Sequence, residues 1–398
     1  MTTDLKNKVL SHMARLIDQR RVKLIASNIE DLAQADPADL AMYDRLKIDD
    51  KKVESMIRSL QDTIMQPDPI GRDRYEFHHP QGMRIVNRTA PFGTILIIYE
   101  SRPDVTIEAA ALAFKADNTI LLKGGKEARS SNQYLVALWH ESLSAYDINT
   151  DKIQYLDYTR EQTSELLKTS GTRIDLVVPR GGDALIEMVR SLSTAPVLVS
   201  GRGNNFVYIH EDADIDMAIE IVINSKMHKI SVCNATDKVL FDRNHPQHGI
   251  IITRLIDKLH AVECEVLVDK TLEDKALQSN LTIVQGENIW YEEFLAKKIM
   301  FSLVDGLEDA IAKINTYSGG HTAVIVSNDS EVATKFMESI DAASVIHNAS
   351  SRYTDGGQFG LGAELAISTD KLHHRGPLGL DHLVTNKWYV YGQGQVRD

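Results

Sequence analysis

Cys233 lies in the run Ile230-Ser-Val-Cys-Asn-Ala-Thr-Asp-Lys-Val-Leu240. The apolar period resumes just after it, which predicts a helix N-terminus at or near the thiol. A helix dipole and its unpaired backbone N–H groups lower a thiol pKa and can hold a developing oxyanion. Lys226, His228 and Lys229 stand just upstream and add positive charge. These features suit a nucleophile that forms a thioester; a small buried hydrophobe is the alternative reading of the same residue. Cys264, inside the apolar run from Val262 to Val268, reads as structural.

Two glycine turns carry a second kind of chemistry. Ile120-Leu-Leu-Lys123-Gly124-Gly125-Lys126 is an apolar strand that ends in a Gly-Gly pair between two lysines. In a doubly wound sheet, strand carboxyl ends are where nucleotides bind. Lys123 then suits a ribose hydroxyl or phosphate, and Lys126 an additional 2′-phosphate; a helix start with solvated lysines is the alternative. Leu176-Val-Val-Pro-Arg180-Gly181-Gly182 repeats the pattern before a helix. Its glycines allow close approach of a pyrophosphate to a helix N-terminus. The Gly-x-Gly-x-x-Gly dinucleotide fingerprint is absent from both turns.

His321 follows Tyr317-Ser-Gly-Gly320, where a surface position and a functional one are equally consistent with the sequence. Arg352, before the Gly-rich run 356–362, sits in a segment read as flexible and polar, suited to bidentate capture of a carboxylate or phosphate. The alternative is an ordinary surface loop. The His-His pairs at 78–79 and 373–374 lack metal-ligand spacing, so no metal site is expected.

Strand and helix must alternate to position these turns, and they do from Pro91 onward. An apolar run at 94–98 is followed in order by helix (105–115), strand (119–122), helix (131–144), strand (152–156), helix (163–169), strand (174–178) and helix (183–191). That rhythm predicts a doubly wound α/β sheet. A second α/β region is expected from near Ile230 to about residue 370. Helical periodicity covers most of residues 5–60. Residues 74–88 read as a β-hairpin, and Val384–Tyr391 as a strand able to pair with the hairpin of a neighbouring subunit.

With 398 residues, 43% hydrophobic and 25% charged, the chain has room for two or three domains. Its net charge of −12 argues against a nucleic-acid or anionic-membrane binder. No apolar run is long enough to suggest a membrane span, and the charged N-terminus does not read as a signal peptide. Two cysteines offer no disulfide framework, so the expected compartment is the cytoplasm.

Several longer runs resemble the γ-glutamyl phosphate reductases of the aldehyde dehydrogenase superfamily. They are Ile98-Tyr-Glu-Ser-Arg-Pro-Asp-Val-Thr106, Leu122-Lys-Gly-Gly-Lys-Glu-Ala128, Val178-Pro-Arg-Gly-Gly182, Val232-Cys-Asn-Ala235, Gly319-Gly-His-Thr322, the run from Asn348 to Gly356, Phe359-Gly-Leu-Gly-Ala-Glu364 and the run from Ile367 to Leu380. The resemblance covers nearly the whole chain in order. It implies an aldehyde dehydrogenase-like fold, with an NADPH-binding domain (1–70 and 90–229), a catalytic domain (230–370) and a small β oligomerisation flap (71–89 and 383–398).

It also implies NADPH-dependent reduction of L-γ-glutamyl 5-phosphate to L-glutamate 5-semialdehyde with release of phosphate, the second step of proline synthesis from glutamate. Cys233 becomes the nucleophile, with its own N–H and Ser101 as oxyanion donors. Lys123 and Lys126 take the adenosine ribose, where a cation at 126 favours NADPH over NADH. Gly181 and Gly182 approach the pyrophosphate, Glu293 meets the nicotinamide ribose, and His321 and Arg352 lie on the substrate side. A homodimer or higher homo-oligomer is implied, and instability of acyl phosphates favours contact with a glutamate 5-kinase. Hydrolytic relatives carry a glutamate where Val199 stands, so phosphate rather than water is the expected thioester partner. Two departures, at Gly201–Phe206 and Ile230–Ser231, leave open a same-fold enzyme acting on a different acyl phosphate or aldehyde. A non-catalytic binding or scaffold protein is a further alternative, against which stand Cys233-Asn-Ala and the paired lysines.

Overall fold

In the computed structural model, which describes residues 1–36, 39–169, 174–279 and 281–397, the chain divides into two units. The first comprises Met1–Ser200, Gly360–Ala366 and Leu378–Asp398; the second comprises Gly201–Phe359 and Ile367–Pro377.

The first unit opens with four helices, α1 (Thr3–Gln19), α2 (Arg21–Leu32), α3 (Leu40–Leu46) and α4 (Asp50–Met65). Thr2 and Asp49 cap α1 and α4 by accepting from Leu5 and Lys52 N–H groups, which satisfies orphan donors of the first turn. The four-residue spacing of Val9, Met13 and Ile17 puts all three on one buried face.

A parallel sheet follows, ordered β5-β4-β3-β6. Its strands are β3 (Thr94–Tyr99), β4 (Thr119–Lys123), β5 (Ile153–Tyr155) and β6 (Leu176–Arg180), alternating with α5 (Asp104–Lys115), α6 (Arg129–Ser144), α7 (Arg160–Lys168) and α8 (Asp183–Leu192). Alternate residues of each strand serve different cores. Ile95, Ile97, Ile120, Leu122 and Val178 pack in the cluster containing α1, α4, α5 and α6 residues. Leu96, Ile98, Leu121 and Val177 pack with Leu167 and Val189 of α7 and α8. Burial on both faces explains why these strands read as continuous apolar runs.

The hairpin forms as expected, β1 (Asp73–His78) against β2 (Arg84–Pro91), with Gly82 at φ 89° in the turn. The tail strand differs from expectation. Val384–Tyr391 pairs antiparallel with β2 of its own chain over its whole length, from Val384 opposite Pro91 to Tyr391 opposite Arg84. A third strand within the chain removes one edge of the marginal hairpin.

Among the described residues the second unit carries a sheet of seven parallel strands in the order β10-β9-β11-β8-β7-β12-β13. They are β7 (Asn205–Ile209), β8 (Thr236–Asp242), β9 (Glu265–Val268), β10 (Thr282–Ile283), β11 (Lys298–Val304), β12 (Thr322–Val326) and β13 (Ser344–His347). This sheet starts earlier than the sequence suggested, because β7, before Ile230, belongs to it, and α9 (Ile215–Met227) lies in the same unit. The five-residue run 205–209 continues the strand–helix rhythm of the first sheet without a break in composition, so nothing local marks the change of unit.

Candidate active site

In the second unit the candidate residues collect at the amino ends of the strands. Cys233 sits in a turn between α9 and β8. No helix begins there, so the expected helix dipole is absent: the apolar residues after it form the fully buried strand β8. A short apolar run reads equally as helix or strand by periodicity, and the β-branched and aromatic content of Thr236–Asp242 decides for strand.

The turn is held from three sides. The Asn205 amide, at the start of β7, donates to the carbonyls of Cys233 and Ala235 at 2.7 Å each, while its Oδ1 accepts from the Thr322 N–H at 2.9 Å. Ser351 Oγ donates to the Asn234 carbonyl at 2.6 Å, and the Asn234 amide donates to the Thr354 carbonyl at 2.8 Å. A Cβ at Gly203 would collide with the Cys233 carbonyl and with a carboxylate oxygen of Glu293. Only glycine therefore lets these two residues converge on that loop. The thiol is half-buried, whereas Cys264 is 2% exposed in the core, matching its structural reading.

Arg352 is a cation within electrostatic reach of the thiol, and of the two upstream lysines Lys226 is engaged elsewhere. Lys226 is fully buried and pairs with Asp237 at 2.9 Å. Arg352 Nε donates to His228 Nδ1 at 3.3 Å; burial lowers the Arg352 pKa, and the nearby Cys233 and Asp355 oppose that shift. Its segment is not a loose loop. Residues 351–353 form a 3₁₀ turn capped by Ser350, whose hydroxyl accepts from the Arg352 N–H, while Ser225 accepts from the Ser351 N–H.

His321 is fully buried rather than on the surface. Its Nδ1 lies 2.8 Å from Thr322 Oγ1, its Nε2 has no partner among the described residues, and burial pushes its pKa down to about 4. The imidazole is therefore neutral near pH 7.

Sequence reasoning missed the Asn204–Lys238 pair. Asn204, at φ 38°, donates to the carbonyls of Trp290 and Tyr317 and accepts from Lys238 Nζ at 2.5 Å. Lys238 also lies 4.2 Å from the Phe294 ring centroid, and burial lowers its pKa to about 8. A lysine inside the apolar run of β8 was the available signal, since a buried ammonium must find partners.

In the first unit the candidates lie at strand carboxyl ends. Ser101 follows β3 with φ 45°; its N–H and hydroxyl both donate to Glu127 Oε1 at 2.8 Å, which fixes the left-handed backbone. Lys123 Nζ donates to the Gly124 carbonyl at 2.6 Å, and burial lowers its pKa against the opposing charges of Glu127 and Asp157. Lys126 is exposed in the 3₁₀ turn that follows.

Gly181 and Gly182 precede α8, and the Gly182 N–H donates to Glu100 Oε2 at 3.0 Å. A Cβ at Gly181 would collide with that carboxylate, whereas the space around Gly182 is open. A side-chain carboxyl oxygen thus takes the glycine N–H at this helix N-terminus, so a phosphate group bound there would have to displace Glu100. Among the described residues no His, Cys, Asp and Glu cluster could hold a metal, and no helix is long and apolar enough to cross a membrane.

Two parallel α/β sheets, one with glycine turns at its strand carboxyl ends and the other presenting a half-buried thiol, define the class. Residues 1–273 match the model of the aldehyde dehydrogenase family. A γ-glutamyl phosphate reductase from Dictyoglomus thermophilum is 37% identical, over 100% of this chain and 95% of its own. The crystal structure of a γ-glutamyl phosphate reductase from Thermotoga maritima superposes with a TM-score of 0.93 at 36% identity, covering 100% of this chain and 95% of that one. A glyceraldehyde-3-phosphate dehydrogenase from Methanocaldococcus jannaschii, solved in complex with NADP, shares the fold at 15% identity and a TM-score of 0.71, over 99% and 90% of the two chains. The chain belongs to the aldehyde dehydrogenase family and, within it, to the γ-glutamyl phosphate reductases.

Proposed function

We propose that this chain reduces L-γ-glutamyl 5-phosphate to L-glutamate 5-semialdehyde with NADPH, releasing phosphate through a thioester on Cys233. The observation that carries the reading is the Cys233 turn: a half-buried thiol with a rigidly bonded backbone and the Arg352 guanidinium within electrostatic reach.

The cation favours the thiolate, which attacks the acyl carbonyl. The tetrahedral oxyanion would be held by the Cys233 N–H, and the Ser101 hydroxyl would donate to a ligand only after turning from Glu127. Phosphate is a good leaving group, so the first step needs little help from a general base. Arg352 suits the departing phosphate by its planar donor fork, and neutral His321 suits a hydrogen bond on the substrate side. Val199 offers no base to activate water, which leaves phosphate as the thioester's exchange partner.

Lys123 and Lys126 would hold the adenosine ribose and 2′-phosphate, Gly181 and Gly182 the pyrophosphate, and Glu293 the nicotinamide ribose. Bound NADPH would supply the hydride that reduces the acyl group carried on sulfur.

The first unit is read as the cofactor-binding domain, the second as the catalytic domain, and the three-stranded sheet of β1, β2 and the tail as the oligomerisation flap. Exposed Tyr75, Phe77, Trp388 and Val390 support a homo-oligomer formed through that sheet. A cytoplasmic location and handover from a glutamate 5-kinase fit a labile acyl phosphate.

The test is phosphate-dependent reduction of NADP by glutamate semialdehyde, supplied as its cyclised pyrroline carboxylate. Turnover that needs phosphate supports the reading. Turnover only with another aldehyde replaces it by a same-fold enzyme of different substrate.

A further inference from the structure

Beside Ser101, in the first unit, acidic and basic side chains meet at the start of α5. Asp104, 6% exposed, receives Lys52 Nζ at 3.3 Å and Arg102 at 3.2 Å on the same oxygen, Oδ2. Its other oxygen, Oδ1, is buried and has no partner among the described residues. A buried carboxylate oxygen left unsatisfied costs free energy unless a ligand donor completes it. One turn further along α5, Glu108 is half-buried and lies within the fields of Asp104, Arg102, Lys52 and Arg180. Burial and the Asp104 charge push its pKa up to about 7, against the pull of the three cations. Glu108 therefore holds its charge poorly until a cation arrives.

We propose that Asp104 and Glu108 receive the α-ammonium of the amino-acid substrate, while Arg102, Lys52 and Arg180 receive its α-carboxylate. The pattern fits an amino-acid head specifically. A zwitterion brings one cation and one anion on adjacent atoms, and the cluster offers carboxylates and guanidinium or ammonium groups side by side. The ammonium supplies the donor that Asp104 Oδ1 lacks. The carboxylate takes a share of the cations that now converge on Oδ2. Lys52 and Arg102 keep 27% and 41% of their side chains exposed, so the cluster opens to solvent.

This assignment rests on the proposed activity and concerns only the groups of the first unit that recognise the amino-acid head. The test compares glutamate semialdehyde with 5-oxopentanoate, which is the same aldehyde without its amino group. Glu108→Gln is expected to raise KM for the amino-aldehyde about tenfold more than for 5-oxopentanoate, consistent with losing one charge-assisted contact. Asp104→Asn should do the same, and Glu108→Gln, at a half-buried position, guards against misfolding of the Asp104 variant. Equal KM changes on the two aldehydes would overturn the assignment. Calorimetry decides independently of turnover: wild-type protein should bind L-glutamate more tightly than glutarate, and Glu108→Gln should erase that preference. A preference that survives both substitutions overturns the inference even if the proposed reaction is observed, whereas a failed assay with the preference intact counts against the reaction alone.

Discussion

The Asn205 carboxamide donates to the Cys233 carbonyl at 2.7 Å, tying the start of β7 to the turn that carries the thiol. Asn205 also serves Ala235 and Thr322, so one fully buried side chain satisfies three backbone groups. Asn205→Ala leaves them unpaired in the core, and each such loss costs roughly 1–3 kcal/mol. A destabilisation of about 3 kcal/mol is expected in urea unfolding. Turnover should fall at least about tenfold, because a misplaced nucleophile loses its attack geometry. A variant with unchanged midpoint and turnover would show that the turn needs no such support.

Cys233→Ser should abolish reduction and leave the Kd for NADPH, read by nucleotide fluorescence, within about twofold, since a hydroxyl is a far weaker nucleophile than a thiolate at neutral pH. Of the proposed cofactor groups, Lys123, Lys126, Gly181 and Gly182 belong to the other unit, and Glu293 shares the unit of Cys233. Loss of cofactor binding together with activity would mark the sulfur as structural instead. Iodoacetamide provides a second check: Cys233 should react faster than a simple thiol, and Arg352→Ala should slow it toward that rate.

How much of this was legible in the sequence depends on the length scale of the signal. The alternation from Thr94 to Leu192 was readable because apolar runs ended in Gly, Pro and Asp turns and both sheet faces were buried. The start of the second unit was not, since Asn205–Ile209 is one more short apolar run in the same rhythm. The thiol's setting was misread for a related reason: Thr236–Asp242 is buried all round, and full burial erases the period that separates helix from strand. Arg352 looked loose because its segment is rich in Ser and Gly. Ser350 and Ser351 instead spend their hydroxyls on backbone groups near and far, Ser351 reaching the Asn234 carbonyl. Bonds such as Asn205 to Cys233 join residues distant in the chain, and a single sequence does not encode their pairing in any local pattern.

Cofactor choice tests the first unit. If Lys126 balances a 2′-phosphate, Lys126→Glu should weaken NADPH by about tenfold or more and leave NADH within about twofold, because only the first carries the extra dianion. Lys126 is exposed, so the substitution should not disturb the fold. Equal weakening of both dinucleotides removes Lys126 from that role and leaves Lys123 as the remaining candidate.

His321 makes stability depend on acid. Burial holds its folded-state pKa down at about 4, below the ordinary 6.5. The unfolded chain therefore binds the proton more readily, and protonation favours unfolding. The contribution from keeping this imidazole neutral is fully present above pH 6.5 and is lost as pH falls from there toward 4. The span corresponds to about 3 kcal/mol at the acid end. His321→Leu should flatten that part of the profile, with urea midpoints at pH 7 and pH 5 lying closer together than in the unmodified chain. The imidazole's Nδ1 contact with Thr322 is lost as well, so stability at pH 7 should fall, and the slope rather than the level carries the test. An unchanged slope would mean that His321 opens to water before the rest of the unit unfolds.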